Sequence, residues 1–204
     1  MIESEIYAAR NYDRGMWLLE RTKLSNLRRR VVESVSGEIL ELGAGTGANS
    51  PLYSPGVRVT AIDLRPAHLL AATKKARSAG HRSEFTVACA DAQQLPFPDN
   101  TFDSVLGTLV FCSISDPATA LAEVHRVLKP GGQLILLEHV RGQTPITRRL
   151  TDWLHPVWFA VNGVCHLNRE TAETVAAAGF NIDFKTTHAR GVIQVIHASS
   201  PVVG

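Results

Sequence analysis

The chain has 204 residues, of which 45% are hydrophobic and 20% charged, with a formal net charge of +2. This length and composition suit one domain with a substantial core and leave little room for a second. The net charge is small and no dense stripe of Lys and Arg is present, so electrostatics give no case for a nucleic-acid partner. We therefore expect a single domain over residues 1–204.

The chain has no features of a secreted or membrane-spanning protein. Residues 1–5 lack the basic and apolar regions of a signal peptide, and no uninterrupted run of about 18 to 20 apolar residues could span a bilayer. This pattern predicts a cytoplasmic location. Cys89, Cys112 and Cys165 are odd in number and lack metal-ligand spacing, so we expect reduced thiols, no disulfide framework and no structural zinc.

Residues 1–30 are predicted to form a helical cover over a binding crevice. They contain the aromatic residues Tyr7 and Tyr12, which we regard as candidate substrate contacts. The basic cluster Arg28-Arg29-Arg30 follows, and we interpret it as a solvated helix face.

The next segment predicts a cofactor-binding loop. Residues 39–47 read Ile-Leu-Glu-Leu-Gly-Ala-Gly-Thr-Gly, an apolar strand followed by glycines at alternate positions. Glycine permits positive φ and lacks a Cβ, so a ligand can lie against backbone amides between this strand and the next helix. Asp63 ends the following strand-like run, twenty residues after Gly43, where a carboxylate would face the ribose hydroxyls of a bound nucleoside.

The glycines alone leave the cofactor open, and Glu41 favours S-adenosylmethionine. Gly43, Gly45 and Ala48 also satisfy the Gly-x-Gly-x-x-Gly/Ala fingerprint of NAD-binding enzymes. Glu41 lies two residues before the first glycine, where an anion is poorly placed for a pyrophosphate. It is well placed for the cationic methionine part of a sulfonium cofactor. We therefore predict S-adenosylmethionine as cofactor and S-adenosylhomocysteine as product.

Strand-like and helix-like segments alternate through the rest of the chain. Strands are predicted at residues 38–42, 57–62, 84–89, 102–109 and 133–139, and helices at 66–79 and 117–128. Asp116 is predicted to cap the second of these helices. Asn168 is predicted to cap a last helix, which ends at Ala178. Two β-rich runs around residues 189–191 predict a terminal hairpin. The alternation implies a parallel α/β sheet with its ligand site at the carboxyl ends of the strands.

The ordered motifs of residues 38–140 resemble class I S-adenosylmethionine-dependent methyltransferases with a methyltransferase type 11 domain. The segments 89–92, 95–105 and 123–132 look like recurrent motifs of that superfamily. The resemblance implies a Rossmann-like fold: a seven-stranded, mostly parallel sheet with helices on both faces and a C-terminal antiparallel hairpin. It also implies that Asp91 binds the adenine amino group. The predicted cofactor-binding residues are Glu41, Gly43, Ala44, Gly45, Gly47, Asn49, Asp63, Leu64, Asp91, Ala92 and Leu109.

Residues 141–168 form an insertion between the fifth strand and the last helix. Apolar residues recur there at helical spacing, which predicts an amphipathic helix over residues 144–160. Its apolar face can pack on the domain, or lie on a membrane surface as a peripheral contact. We expect the insertion to shape the acceptor site, and its candidate contacts are Trp153, His155, Trp158 and His166.

The predicted chemistry is direct displacement at the methyl carbon, which needs alignment and exclusion of water more than a base. We therefore expect no metal. His139 follows the fifth strand and is the candidate to assist proton removal, or else only holds the start of the insertion. Glu138 is either an acceptor contact or a partner of nearby arginines.

A closer resemblance suggests the acceptor. The segments 47–56, 109–113, 138–140 and 162–170 resemble the methyltransferase-like 7 family, whose members include alkyl thiol methyltransferases. That resemblance implies a small-molecule thiol acceptor, and a thiol with a pKa of about 8.5 is already partly ionised at neutral pH. Residues 12–13 and 98–103 also resemble bacterial phospholipid and quinone methyltransferases. A phospholipid amine or quinone-type acceptor, and a non-catalytic cofactor-binding module, are the alternatives.

Overall fold

The computed structural model describes residues 24–80, 84–162 and 165–202. Within them, one sheet has the strand order β3-β2-β1-β4-β5-β7-β6. The strands are β1 (Glu38–Leu42), β2 (Arg58–Asp63), β3 (Phe85–Cys89), β4 (Phe102–Thr108), β5 (Leu128–His139), β6 (Asn181–His188) and β7 (Ile193–Ser199). Strand β7 runs antiparallel to both of its neighbours, and the other pairings are parallel. The predicted seven-stranded sheet and terminal antiparallel hairpin are confirmed.

The helices follow the predicted order. They are α1 (Ser25–Glu33), α2 (Pro66–Ser78), α3 (Pro117–Val127), α4 (Pro145–Asn162) and α5 (Thr171–Ala177). Asp116 caps α3 as predicted, because its carboxylate accepts hydrogen bonds from the amides of Ala118 and Thr119. Helix α4 confirms the amphipathic helix expected in the insertion.

The predicted cap of the last helix is wrong. Helix α5 begins at Thr171 rather than after Asn168, and the residue before it, Glu170, makes no side-chain cap. The reason is tertiary. The carbonyl of Arg169 accepts a hydrogen bond from the amide of Arg141, and its guanidinium donates to the carbonyl of Ile114. Arg169 is thus bonded to two other segments of the chain, and the helix starts after it.

Both faces of the central strands are buried. Alternate residues of β5 point to opposite sides: Leu134 and Leu136 belong to one core cluster, and Ile135 and Leu137 to the other. The first cluster includes apolar residues of α3 and α5, whereas the second includes those of α1 and α2. This arrangement explains the nearly continuous apolar runs of the central strands.

The strand order reverses beside β1. Strand β2 pairs with one edge of β1 and β4 with the other, so the loops that leave β1 and β4 diverge at their carboxyl ends. A crevice forms at such a switch point in open α/β sheets. In the part of the chain that the structure describes, no helix is both long and apolar enough to cross a membrane.

Candidate active site

The loop after β1 is built for close approach of a ligand. Gly43, Gly45 and Gly47 all have positive φ, at 61°, 53° and 80°. A Cβ on Gly47 would lie 2.5 Å from the Cα of Ala72, so only glycine allows the loop to pack on α2. Among the described residues, a Cβ on Gly45 would meet nothing closer than the carbonyl oxygen of Gly43, 4.0 Å away. Within that part of the chain, the outer side of Gly45 is therefore open.

Asp63, at the end of β2, is fixed against this loop. Its Oδ2 accepts a hydrogen bond of 2.9 Å from the amide of Gly45, and its Oδ1 accepts one of 2.9 Å from the amide of Arg65. The Nδ1 of His68 lies 3.5 Å from Oδ1. Burial raises the pKa of Asp63, but these neighbours outweigh it and hold the pKa below its usual value. The carboxylate is thus ionised beside the loop, next to Leu64, which is 66% exposed.

Glu41 is the centre of a buried polar network. Its Oε1 accepts a hydrogen bond of 2.8 Å from Asn49, and its Oε2 accepts one of 2.8 Å from the hydroxyl of Tyr53. Asn49 also donates to the hydroxyl oxygen of Thr108 at 3.0 Å, and Arg28 donates to both Asn49 and Thr108 at 2.8 Å. Burial raises the pKa of Glu41 to about 7, opposed by the Tyr53 and Asn49 hydrogen bonds and by the charge of Arg28.

Arg28 corrects a prediction. The sequence predicts that Arg28, Arg29 and Arg30 form a solvated helix face. Arg29 and Arg30 are exposed, but Arg28 is only 6% exposed. Arg28 shares its helix face with the buried Val31 and Val32, three and four residues further on. That spacing is the signal that sequence reasoning missed. Tyr53 and Thr108 also belong to the network and were not predicted as site residues. No sequence spacing marks either of them.

Asp91 lies beyond the end of β3, in the loop that the sequence assigned to adenine binding. Its carboxylate accepts hydrogen bonds from the amide of Gln93 at 2.9 Å and from the Gln93 side chain at 3.0 and 3.1 Å. The Gln93 Oε1 in turn accepts from Ser115 and from the amide of Asp116. Asp91 and the adjacent Ala92 are thereby tied to the turn that leads into α3.

Glu138 holds the loop after β4. Fully buried in β5, it accepts hydrogen bonds from the amides of Val110 (2.9 Å), Phe111 (3.0 Å) and Cys112 (3.3 Å). Leu109, which starts this loop, has a positive φ of 57°. Burial raises the pKa of Glu138 to about 7, and the three amides oppose the rise. Both oxygens of Glu138 thus position backbone, and its charge also acts on Arg169, in line with the predicted arginine partner. Its predicted role as an acceptor contact stays a prediction.

His139 follows Glu138 at the carboxyl end of β5. Its Nδ1 is buried and has no hydrogen-bond partner among the described residues. Burial lowers the pKa of this imidazole, so it is neutral at physiological pH and able to accept a proton. The position at the strand end agrees with the predicted one, and its role in proton transfer stays a prediction.

The insertion brings three of its aromatic rings together. The ring of His166 lies 5.3 Å from that of His155 and 4.7 Å from that of Phe159, measured between centroids. Trp158 hydrogen-bonds Cys165. Trp153, by contrast, is 75% exposed. The remaining candidate contacts, Tyr7 and Tyr12, lie outside the described residues.

The first turns of α4 are anchored by polar contacts. Arg141 donates to Asp152 at 2.6 and 2.9 Å, and the Oγ1 of Thr151 accepts from the amide of Gly142 at 3.2 Å. The apolar face is open to solvent, since Ile146 is 80% and Val157 66% exposed. The amphipathic pattern therefore exists without burial of its apolar side.

Comparison with known proteins identifies the chain. A family model described as a methyltransferase domain matches residues 40–136. Thiol S-methyltransferase TMT1B of Rattus norvegicus is 39% identical over 148 residues, which is 70% of this chain and 59% of the rat protein. TMT1B of Homo sapiens is 36% identical over 173 residues, 78% of this chain and 69% of the human protein. The chain thus spans less than two thirds of the rat protein.

Relatives that match a shorter part of the chain are named for other acceptors. A phosphatidylethanolamine N-methyltransferase of Cereibacter sphaeroides is 36% identical over 55% of this chain and 57% of its own length. A demethylmenaquinone methyltransferase of Thermus thermophilus is 40% identical over 54% of this chain and 53% of its own length. Among solved structures, the methyltransferase in complex with the Haloferax volcanii Trm112 activator superposes with a TM-score of 0.75 at 17% identity, over 96% of both chains. That likeness concerns the fold alone.

The sheet order, the glycine loop and Asp63 define a class I methyltransferase, for which S-adenosylmethionine is the cofactor. Within that class, the chain belongs to the methyltransferase family that includes the thiol S-methyltransferases TMT1A and TMT1B.

Proposed function

We propose that this chain transfers the methyl group of S-adenosylmethionine to the sulfur of a small thiol. The observation that best supports the proposal is the open Gly45 beside an ionised Asp63 at the switch point of the sheet, in a chain related to thiol S-methyltransferases. Ligands bind open α/β sheets at this position.

Each predicted cofactor contact suits one part of S-adenosylmethionine. Asp63 would accept hydrogen bonds from the ribose hydroxyls, which are charge-assisted because its carboxylate is ionised. The amides of Gly43–Gly47 would face the methionine part, with the Glu41 carboxyl behind them. The pKa of this carboxyl is about 7 in the free chain, and the positive charge of the cofactor would favour its ionised form. Asp91 would accept from the adenine amino group. The side chains assigned to the remaining contacts are Ala44, Asn49, Leu64, Ala92 and Leu109.

The reaction is a direct displacement. A lone pair of the acceptor sulfur attacks the methyl carbon, the bond from that carbon to the sulfonium sulfur breaks, and neutral S-adenosylhomocysteine leaves. Alignment and exclusion of water supply most of the rate. The acceptor must lose its proton, and an acceptor thiol of pKa about 8.5 is partly ionised without help. His139, kept neutral by burial, would take the proton from less acidic thiols.

The acceptor side is proposed to come from segments outside the core of the sheet. Within one domain over residues 1–204, the insertion 141–168 would shape the site through His155, Trp158 and His166. Residues 1–30 would cover it. A cytoplasmic location is part of the same proposal, and fractionation of cells that express the full chain would test it.

A second candidate is a phospholipid amine or quinone-type acceptor. The relatives that act on phosphatidylethanolamine and demethylmenaquinone favour it, as does the exposed apolar face of α4, which suits peripheral contact with a membrane. A non-catalytic cofactor-binding module is the third candidate function.

The deciding experiment measures transfer of labelled methyl from S-adenosylmethionine to a panel of alkyl and aryl thiols, phenols, amines, a quinone precursor and a phospholipid. Calorimetry measures cofactor binding in parallel. We expect turnover of thiols. Turnover of phospholipid or quinone precursor alone would replace the thiol by the second candidate, and cofactor binding with no transfer to any acceptor would favour the module. Absence of cofactor binding would contradict the whole proposal.

His139 has its own test. His139→Ala should lower kcat more for alkyl thiols of high pKa than for acidic aryl thiols, because only the former need a base near neutral pH. His197→Ala is the matched control, since burial also lowers the pKa of this histidine, which lies on β7 and stacks on Phe184. Equal losses across the acceptor series would mean that His139 is structural.

A further inference from the structure

Two cysteines that are distant in sequence meet beside the crevice. Cys112 lies in the loop after β4 and is buried, whereas Cys165 lies between α4 and α5 and is half-buried. Each thiol shifts the pKa of the other, so the two side chains are within interaction range. The backbones are also fixed together, because the amide of His166 donates to the carbonyl of Cys112 at 2.8 Å. The two sulfurs are therefore held at the junction of two segments.

Both segments are anchored independently of the sulfurs. The amide of Cys112 donates to the buried Glu138, together with the two preceding amides. A second contact joins the two segments directly. Arg169, four residues after Cys165, donates from its guanidinium to the carbonyl of Ile114, two residues after Cys112. The contact between the thiols is thus built into the fold rather than made by two free side chains.

The environment divides the two thiols into a nucleophile and a partner. The Cys112 thiol, as hydrogen-bond donor, lowers the pKa of Cys165 to about 6, and Trp158 and the charge of Arg169 act in the same direction against burial. The same hydrogen bond, together with burial, raises the pKa of Cys112 well above its usual value. A thiolate, not a thiol, attacks a disulfide. At neutral pH that thiolate is Cys165.

We propose that Cys165 is a site of thiol–disulfide exchange with small-molecule disulfides and that Cys112 is its resolving thiol. In the first step the Cys165 thiolate attacks one sulfur of the disulfide, whose S–S bond breaks to release one thiolate and leave a mixed disulfide. Cys112 then loses its proton to solvent and attacks the Cys165 sulfur, which releases the second thiolate. The disulfide is reduced to two thiols, and the two cysteines are oxidised to a Cys112–Cys165 disulfide.

This exchange uses only the thiols of the chain and the added disulfide, so it is independent of methyl transfer. Its structural consequence is a covalent tie between the loop after β4 and the end of the insertion.

The test uses the reduced full chain with 2-hydroxyethyl disulfide, followed by intact-mass measurement and peptide mapping. The native chain should lose the mass of two hydrogens and yield a linked Cys112–Cys165 peptide pair. Cys112→Ser should stop at a mixed disulfide on Cys165, and Cys165→Ser should form neither product. Cys89→Ser is the matched control, because Cys89 is exposed and outside the pair, and it should behave like the native chain.

Modification of Cys89 while Cys165 stays reduced would overturn the proposal, and so would a native chain that keeps an unresolved mixed disulfide on Cys165. A second measurement needs no substitution. The rate of alkylation of Cys165 by iodoacetamide in the native chain should be half-maximal near pH 6, well below the value of about 8.5 for an unperturbed thiol. A half-maximal rate at or above that ordinary value would contradict the assignment of the nucleophile.

Discussion

At the scale of single residues, the site is dominated by carboxylates whose surroundings set their charge. Asp63 is kept ionised by backbone amides and His68, whereas burial raises the pKa of both Glu41 and Glu138 to about 7. The three side chains lie near the carboxyl ends of β2, β1 and β5. The same carboxyl group is therefore ionised in one place and has a raised pKa in the other two, according to its surroundings.

Asp63→Ala should weaken binding of S-adenosylmethionine by roughly 1 to 3 kcal/mol, because charge-assisted contacts to the ribose are lost. Calorimetry with the purified chain measures the effect. Asp103→Ala is the matched control: this carboxylate also accepts from a backbone amide, that of Glu38, but at the opposite end of the sheet. A similar loss of affinity in both variants would contradict the ribose contact.

The raised pKa of Glu41 predicts that the stability of the folded chain depends on pH. Its pKa is about 7 in the folded chain against an ordinary 4.5, so between these values the folded state keeps a proton that the unfolded state has lost. The contribution to stability is therefore complete below pH 4.5 and is lost as pH rises through 7, by about 3 kcal/mol in all.

Urea unfolding of the cofactor-free chain and of Glu41→Gln across this pH range measures the contribution of Glu41 to the free energy of unfolding. The variant cannot titrate at this position, so the stability of the native chain relative to the variant should fall as pH rises. Glu138 and the histidines are common to both proteins, and their titration cancels in the difference. Parallel curves would show that the folded-state pKa of Glu41 is not raised.

At the scale of elements, the loop after β4 depends on one side chain. Removing Glu138 leaves the amides of Val110, Phe111 and Cys112 without their acceptor. The last two are buried, and each unsatisfied buried donor costs about 1 to 3 kcal/mol. Glu138→Ala should therefore lower the free energy of unfolding by at least ~2 kcal/mol. Amide hydrogen exchange should accelerate at these three positions.

Glu123→Ala is the control for that prediction, because Glu123 also accepts from a backbone amide, that of Leu95, but far along the chain in α3. It should accelerate exchange at Leu95 and leave the loop after β4 unchanged. Unaltered exchange at Val110 and Phe111 in Glu138→Ala would mean that other contacts hold the loop.

Helix α3 offers a simpler test. Asp116→Ala removes a cap that accepts from the amides of Ala118 and Thr119, and should lower stability by about 1 kcal/mol. Urea unfolding measures it. The exposed Asp99, which pairs with Arg126 at the surface, is the comparison, and Asp99→Ala should cost less. A loss for Asp116→Ala no larger than that for Asp99→Ala would contradict the importance of the cap.

At the scale of the whole molecule, the sheet and α4 are held in different ways. The central strands are buried on both faces, whereas the apolar face of α4 is exposed. Polar contacts of Thr151 and Asp152 anchor the first half of this helix. Segments with few buried apolar contacts open at lower free energy than the core. Amide exchange in α4 should therefore be faster than in β1, β4 and β5.

Cofactor and acceptor together should slow exchange in α4 if the helix closes over the acceptor, as the proposed function expects. The measurement is hydrogen exchange of the full chain in the free state, with S-adenosylhomocysteine, and with S-adenosylhomocysteine plus a thiol. Helix α2, on the other side of the sheet from α3, provides the internal reference for changes due to cofactor alone. Exchange in α4 that is the same in all three states would exclude a closing role.

The sequence by itself determined the fold and the identity of the cofactor. Period-two and helical patterns, the alternating glycines and Asp63 are local signals, and a glycine at positive φ or a carboxylate at a strand end acts where it stands in the chain. The alternating strands and helices, the amphipathic α4 and the Asp116 cap were predictable for that reason, whereas the seven-stranded sheet was implied by the resemblance to class I methyltransferases.

Only the tertiary structure decided which polar side chains are buried and what they contact. Arg28 joins Asn49 and Thr108 across the crevice, Glu138 binds the amides of a loop from another strand, and Cys112 meets Cys165. These partners are far apart in sequence, and a hydrogen bond between them leaves no periodicity to detect. Burial, which raises or lowers each pKa here, likewise depends on the neighbours that folding supplies.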